Sequence, residues 1–212
     1  MKLGLVSLAS LGSLAFNRFP ITSDDYAYPS SVIGRVAVSN KITVYAQPNW
    51  DSRVVGYMNL KDELVNIYYE VTPDTGPAYN PLWYRVWGGF IHSAYLQRVK
   101  FRFNQPLSTI PEAGQLCEVT VPYSEIYKKD IYHGWQRYNR LYYETTHWVV
   151  GIDEGPDKKP WYRIHDNGLE FNVPAEHLRP VPDEEMSPIT PEVPWSAKRL
   201  EISIQEQSLT AF

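Results

Sequence analysis

The chain has only one cysteine, no excess of positive charge and no apolar run long enough to cross a bilayer. Cys117 alone cannot form an internal disulfide or a multi-thiolate metal site. The 20 Lys and Arg residues are scattered and are outnumbered by 24 Asp and Glu residues, which gives a net charge of -4. Because phosphate-backbone binding needs a concentrated positive field, these counts argue against a nucleic acid partner.

Proline and aromatic residues are abundant. The 17 prolines favour strands, turns and linkers over long helices. The 7 Trp, 16 Tyr and 7 Phe residues can fill compact cores. A chain of 212 residues therefore has the length and the aromatic content for one large domain or two small ones.

Residues 1–20 have the pattern of an export signal. An apolar run follows Lys2, and Ser13-Leu14-Ala15 is a plausible cleavage sequence. The run is too short for a stable membrane span, and a helix packed on the domain is the alternative. It also resembles the later part of a twin-arginine signal, although the arginine pair is absent, so the signal is incomplete. We expect an exported protein of the cell envelope or exterior, with residues 21–33 as a tether.

Two segments, 34–99 and 114–181, have similar strand-like runs and turn residues in the same order. "NPLWYRVWGG" in the first corresponds to "KKPWYRIHDNG" in the second, and "SAYLQRV" corresponds to "PAEHLRPV". Both segments contain short alternating runs separated by Gly turns, which is typical of small β-barrels. The sequence therefore predicts an all-β chain with two tandem small β-barrels.

Three further segments connect or follow these repeats. Residues 100–113 are predicted to be a linker, and the Pro-rich and acidic residues 182–197 an extended spacer. In residues 198–212 two alternating runs flank a polar turn, which predicts a hairpin. A lone hairpin is barely stable in water, so this one needs a further partner.

The repeats resemble bacterial SH3-like domains. "YNRLYYETTHWVVGI…PWYRIHDNG…VPAEHLRPV" is similar to the second SH3-like domain of envelope L,D-transpeptidases of the YkuD type. "KRLEISIQEQSLTAF" resembles the first strands of their catalytic domain. The matching residues are Lys198, Leu200, Ile202, Ile204, Gln207, Leu209, Ala211 and Phe212.

The resemblance implies a non-catalytic part of such an enzyme. The family's His-Gly and Ser-x-Gly-Cys-(Ile/Val)-Arg motifs do not occur in this chain, so no catalytic residue can be assigned. The implied partners are peptidoglycan or its stem peptides and the missing catalytic domain, with no cofactor and no enzymatic activity in this chain. The alternative is an autonomous extracellular SH3-like module that binds a peptide or a glycan.

Catalytic and metal-binding side chains are scarce. Cys117 could act as a nucleophile only beside a base, and a small buried residue in a barrel wall is the simpler interpretation. Aligning the repeats on Gly34 and Gly114 places Cys117 at the position of Ala37. The histidines show no metal-ligand spacing, so no metal site is expected. They are His92, His133, His147, His165 and His177.

The stretch "IYHGWQRYNRLYYETTHWVV" is unusually rich in aromatic residues. Such rings form stacking platforms for sugars or grooves for extended peptides. The alternative is that they fill the barrel and its contact with the first repeat. The candidate ligand-binding residues are Trp135, Tyr138, Tyr142 and Trp148. By contrast, Trp83 and Trp161 occupy matching strands and are expected to be structural.

Overall fold

The computed structural model describes residues 32–58, 60–74, 80–166, 168–205 and 208–212. The predicted export signal at 1–20 and nearly all of the predicted tether at 21–33 lie outside these residues. Within the described ranges, no helix is long and apolar enough to span a membrane. The chain divides after Arg98 into two compact units.

The first unit contains two antiparallel sheets. Their orders are β4-β1-β8 and β3-β2-β7-β6-β5. A 3-10 turn at Ser93–Tyr95 precedes the last strand. The strands are β1 (Val32–Val36), β2 (Ile42–Tyr45), β3 (Val54–Met58), β4 (Leu64–Ile67), β5 (Tyr69–Val71), β6 (Trp83–Val86), β7 (Gly89–His92) and β8 (Leu96–Val99).

The second unit contains a seven-stranded sheet and a separate hairpin. The order of the large sheet is β11-β10-β14-β13-β12-β9-β15, and β16 pairs with β17. The strands are β9 (Gln115–Val119), β10 (Tyr123–Asp130), β11 (Gly134–Tyr142), β12 (Thr146–Glu154), β13 (Pro160–Asp166), β14 (Leu169–Pro174), β15 (Leu178–Pro180), β16 (Leu200–Ser203) and β17 (Ser208–Ala211). A 3-10 turn at Ala175–His177 precedes β15.

The two units have the same strand order once one interruption is taken into account. Val65, Ile67, Tyr69 and Val71 alternate with polar or aromatic residues in the sequence, which is the pattern of a single strand. The structure instead divides this segment at Tyr68 into β4 and β5. Its counterpart β12 is continuous, with a register shift between Val149 and Gly151. If β4 and β5 are treated as one strand, equivalent strands are neighbours in the same order in both units. That order is β3-β2-β7-β6-β5/β4-β1-β8 in the first unit and β11-β10-β14-β13-β12-β9-β15 in the second.

Backbone hydrogen bonds align the repeats residue by residue. The Val36 N–H donates to Glu63 and its carbonyl accepts from Asp62, just as Val119 bonds to Thr145 and Glu144. Asp62 and Glu144 both have positive φ, at 69° and 62°. Val36 is therefore the counterpart of Val119.

This alignment corrects the one made from the glycines. Since Val36 matches Val119, Cys117 corresponds to Gly34, which lies inside β1, and not to Ala37. Gly114 instead precedes β9 with φ of 84°. The sequence comparison failed because the two glycines serve different purposes: Gly34 avoids a contact with Ile67, whereas Gly114 turns the chain.

Each unit has its own hydrophobic core. The first is formed by Val36, Ile42, Val44, Ile67, Tyr84, Val86, Ile91 and Leu96. The second is formed by Cys117, Val119, Val121, Ile126, Leu141, Val149, Tyr162, Ile164, Phe171, Val173, Ala175 and Leu178. The predicted linker 100–113 contributes to the second core, because Phe101, Leu107 and Ile110 pack against it.

The predicted all-β class is confirmed, but the barrels are not closed. A closed barrel requires its first and last strands to pair. Within the described residues, β3 and β8 are the outermost strands of their two sheets and do not pair, and the same holds for β11 and β15. Both units are therefore made of open antiparallel sheets around a core.

Candidate ligand-binding site

The structure does not bring the four predicted ligand-binding residues together. Trp135, Tyr138 and Tyr142 lie on β11, an edge strand, whereas Trp148 lies on β12 opposite Leu116 of β9. In the sheet, β10, β14 and β13 separate β11 from β12. A single platform that includes all four rings is not formed.

Trp135 belongs to a group of rings around Trp161. The ring centroids of Trp135 and Trp161 are 5.8 Å apart, and Tyr127 packs edge-on against Trp161 at 5.4 Å. The indole N–H of Trp161 donates to Asp157 Oδ1 at 2.8 Å. Trp161 is buried, as is Trp83 in the matching strand, so the structural role predicted for both is confirmed.

Tyr138 and Tyr142 make other contacts. Tyr138 stacks on Phe171 with centroids 6.4 Å apart and carries Lys128 Nζ at 3.9 Å above its ring. Tyr142 lies opposite Tyr123 in the β10–β11 ladder. Tyr138 is 51% exposed and Trp148 54%, so the interpretation that the aromatic stretch fills the core is wrong for these two residues.

A small cavity lies beside Trp161. It has a volume of about 30 Å³, which is enough for roughly one or two water molecules but not for a sugar ring. Its lining combines prolines, carboxylates and one lysine: Pro106, Asp157, Lys159, Pro160, Trp161, Pro174 and Glu176. This cavity alone does not form a ligand site.

A closely packed aromatic group lies in the first unit, where the sequence predicts no candidate. We call Tyr45, Trp50, Trp83, His92 and Tyr95 the Trp50 cluster. Trp50 lies 4.6 Å from Trp83 and 4.8 Å from His92, measured between ring centroids. It is 44% exposed, whereas Trp83 beneath it is 1% exposed. An exposed ring thus packs at a tilt on a buried one, and the cluster is partly open to solvent.

Two features hold the Trp50 cluster in place. In the turn between β2 and β3, the Gln47 N–H donates to Ser52 Oγ at 2.9 Å. His92 Nδ1 accepts from the Ala94 N–H, so Nε2 carries the proton and donates to the Asn80 carbonyl at 2.9 Å. In the described residues, the buried indole nitrogen of Trp83 has no hydrogen-bond partner.

The Trp50 cluster is the site that sequence reasoning missed. The segment "AQPNWDS" reads as a turn because of Pro48, Asn49 and Asp51. Trp50 in the middle of these turn residues was the available signal, since a large ring in a polar turn must pack on something or remain exposed.

The structure confirms that Cys117 is a buried residue of a strand. Its side chain is fully buried in β9, which lies between β12 and β15. Burial raises the pKa of the Cys117 thiol to about 12, so the reactive thiolate is scarce at neutral pH. Within the described residues, no group of three or more His, Cys, Asp or Glu side chains could hold a metal ion.

Comparison with known proteins gives no family. No family model and no curated protein matches the chain. Among the solved structures that match are NlpC1 and NlpC2 from Trichomonas vaginalis, each 18% identical over 72% of this chain. The TM-scores are 0.25 and 0.26, so this likeness supports no conclusion about function. The matches span about half of those chains, 47% and 49%.

Proposed function

We propose that the chain is a non-catalytic module that positions the catalytic domain of an envelope L,D-transpeptidase at peptidoglycan. The sequence resemblance supplies the enzyme class, and the β16–β17 hairpin is the structural observation that supports it. Leu200 lies opposite Ala211 and Ile202 opposite Leu209, so one face of this hairpin is apolar. Leu200, Ile202 and Leu209 are 66%, 70% and 63% exposed.

The other face of the hairpin is polar. Arg199 pairs with Glu201 at 3.0 Å and lies over the Phe212 ring at 4.5 Å. An amphipathic two-stranded sheet is not stable alone, because its apolar face remains in water. The first strands of a larger domain have this pattern, since the rest of that domain covers the apolar face.

The Trp50 cluster is the surface that we assign to the cell wall. Its exposed Trp50 ring suits contact with the apolar face of a sugar or with an extended stem peptide. Hydrogen bonds hold the turn that carries Trp50 and the His92 ring beside it, so little conformational entropy of these groups is lost on binding.

Co-sedimentation of the purified chain with peptidoglycan sacculi tests this assignment. We expect the wild type to sediment with the sacculi and Trp50→Ser to lose binding about tenfold, because an exposed stacking ring contributes about 1–2 kcal/mol. Trp87→Ser is the matched control, since Trp87 is 70% exposed in the same unit and lies outside the cluster. If the wild type does not bind, wall binding is wrong and a spacer role remains.

An autonomous module that binds a peptide or a glycan is the second candidate. The Trp50 cluster would serve it equally well, so the hairpin distinguishes the two. A self-sufficient module should protect the backbone amides of residues 198–212 from hydrogen exchange. Exchange of these amides on the timescale of an unprotected hairpin would favour the transpeptidase module.

A further inference from the structure

The β10–β11 hairpin ends in an apolar tip that is open to solvent. Ile131 and Tyr132 in its turn are 89% and 84% exposed. β10 meets β14 at the bridge between Tyr127 and Asn172, whereas beyond that point β10 and β11 pair with each other. We call residues 128–137 the hairpin tip. They lie on the far side of the Tyr127–Asn172 bridge that joins the hairpin to β14.

Asp130 fixes the shape of the hairpin tip. Its Oδ1 accepts from the N–H groups of Tyr132 and His133, both at 2.8 Å, and from His133 Nδ1 at 2.9 Å. Gln136 Nε2 also donates to the His133 carbonyl at 2.8 Å. Because these bonds close the turn, the two apolar side chains are held outward by a formed structure.

The hairpin is basic, although the whole chain is acidic. Its cations are Lys128, Lys129, Arg137 and Arg140, and its carboxylates are Glu125 and Asp130. Glu125 pairs with both arginines.

The two lysines are the free positive charges beside the tip. Lys128 lies over the Tyr138 ring at 3.9 Å, and Lys129 over the Trp135 ring at 5.5 Å. In the described part of the chain, neither lysine has a carboxylate within salt-bridge distance. Two ammonium groups without a counter-charge therefore flank the apolar residues.

We propose that the hairpin tip docks on an anionic lipid surface. Ile131 and Tyr132 enter the interface, where an apolar side chain and a tyrosine ring are both favoured, and Lys128 and Lys129 contact the head-group phosphates. A soluble polyanion would attract the lysines but would leave both apolar side chains in water. This function goes beyond wall binding and does not depend on it.

Co-sedimentation of the full chain with vesicles tests the proposal. We expect binding to vesicles of equal parts phosphatidylglycerol and phosphatidylcholine, weaker binding at high salt, and little binding to pure phosphatidylcholine. Lys128→Gln with Lys129→Gln should weaken binding about thirtyfold, since each cation near an anionic surface contributes about 1 kcal/mol. Ile131→Ser with Tyr132→Ser should weaken it about tenfold.

Ile189→Ser is the matched control, because Ile189 is 98% exposed and lies outside the hairpin. It should bind like the wild type. Unchanged vesicle binding by the Ile131→Ser and Tyr132→Ser variant would overturn the proposal. The proposal would also be wrong if the wild type did not bind anionic vesicles. It would be wrong too if binding required only the lysines and added polyphosphate displaced the chain completely from the vesicles.

A site-specific probe covers the case in which the double variant fails to fold. Since Cys117 is buried, Ile131→Cys can be labelled selectively with an environment-sensitive dye. We expect a blue shift of its emission when anionic vesicles are added. Unchanged emission at a lipid concentration where the chain sediments would show that another surface binds.

Discussion

At the scale of single residues, Cys117 should be inert in the folded chain. Its pKa is raised from 9.0 to about 12 by burial, so the folded state holds the thiol proton more tightly than the unfolded state. The thiol should react with a disulfide reagent at pH 8 only after denaturation, and the denatured chain is the control. The stabilisation from the protonated thiol is complete below pH 9 and is lost as the pH rises through 12. Rapid reaction of native protein would contradict this.

The Arg35–Asp62 pair makes a second prediction at this scale. The two side chains are 7% and 6% exposed, and Arg35 Nη1 donates to Asp62 Oδ1 at 2.6 Å. Asp62→Ala removes this carboxylate from the buried guanidinium and should lower the free energy of unfolding by about 3 kcal/mol in urea titrations.

Asp62→Asn is the matched variant for this pair. Asparagine accepts a hydrogen bond and tolerates the φ of 69° at this position, but it carries no charge. It should therefore cost less than Asp62→Ala. Equal losses in the two variants would assign the whole effect to the carboxylate charge, which both variants remove, and none of it to the hydrogen bond or to backbone strain.

At the scale of elements, the β6–β7 hairpin contains two glycines that are required for different reasons. Gly88 has φ of 85° and open space where a Cβ would lie, whereas a Cβ on Gly89 would meet the Tyr45 carbonyl and would lie 2.7 Å from Val44 Cγ1. We expect Gly88→Ala to cost about 1 kcal/mol from backbone strain. Gly89→Ala should cost about 3 kcal/mol from overpacking. Thermal unfolding of the two variants compares them, and a larger loss for Gly88→Ala would contradict the packing argument.

The elements also show how far the sequence could be interpreted. The matching strands of Trp83 and Trp161 follow from a local pattern, and they were predicted correctly. The break of the β4–β5 strand at Tyr68 is invisible in the alternation of the sequence. The Trp50 cluster was missed because its rings come from β2, β6, β7 and two turns, and only long-range packing brings them together.

At the scale of the whole molecule, one plan is used twice with different chemistry. The pair that links the first strand to the last is Arg35 with Gln97 in the first unit and Glu118 with Arg179 in the second. The cationic residue lies on the first strand in the first unit and on the last strand in the second unit. The backbone hydrogen bonds around Val36 and Val119 are the same in both units. The fold therefore depends on the shared backbone bonds and cores, and the polar pairs vary around them.

The position of the boundary between the units gives the last prediction. Residues 99–212 contain one complete core and should fold alone. A fragment that starts at the predicted boundary, residue 114, would lack Phe101, Leu107 and Ile110, which pack on that core. It would also lose the Leu107 N–H bond to the Tyr162 hydroxyl, 2.7 Å long.

Urea unfolding of both fragments, followed by tryptophan fluorescence, measures this difference. Fragment 114–212 loses three partly buried apolar side chains and the hydrogen bonds that Arg102, Asn104 and Leu107 make to the second unit, so it should be less stable by at least about 3 kcal/mol. Leu107→Ala in fragment 99–212 is the intermediate control, and it should lose roughly a third of that amount. Equal stabilities of the two fragments would restore residues 100–113 to the role of a linker, whereas the expected loss makes them part of the second unit.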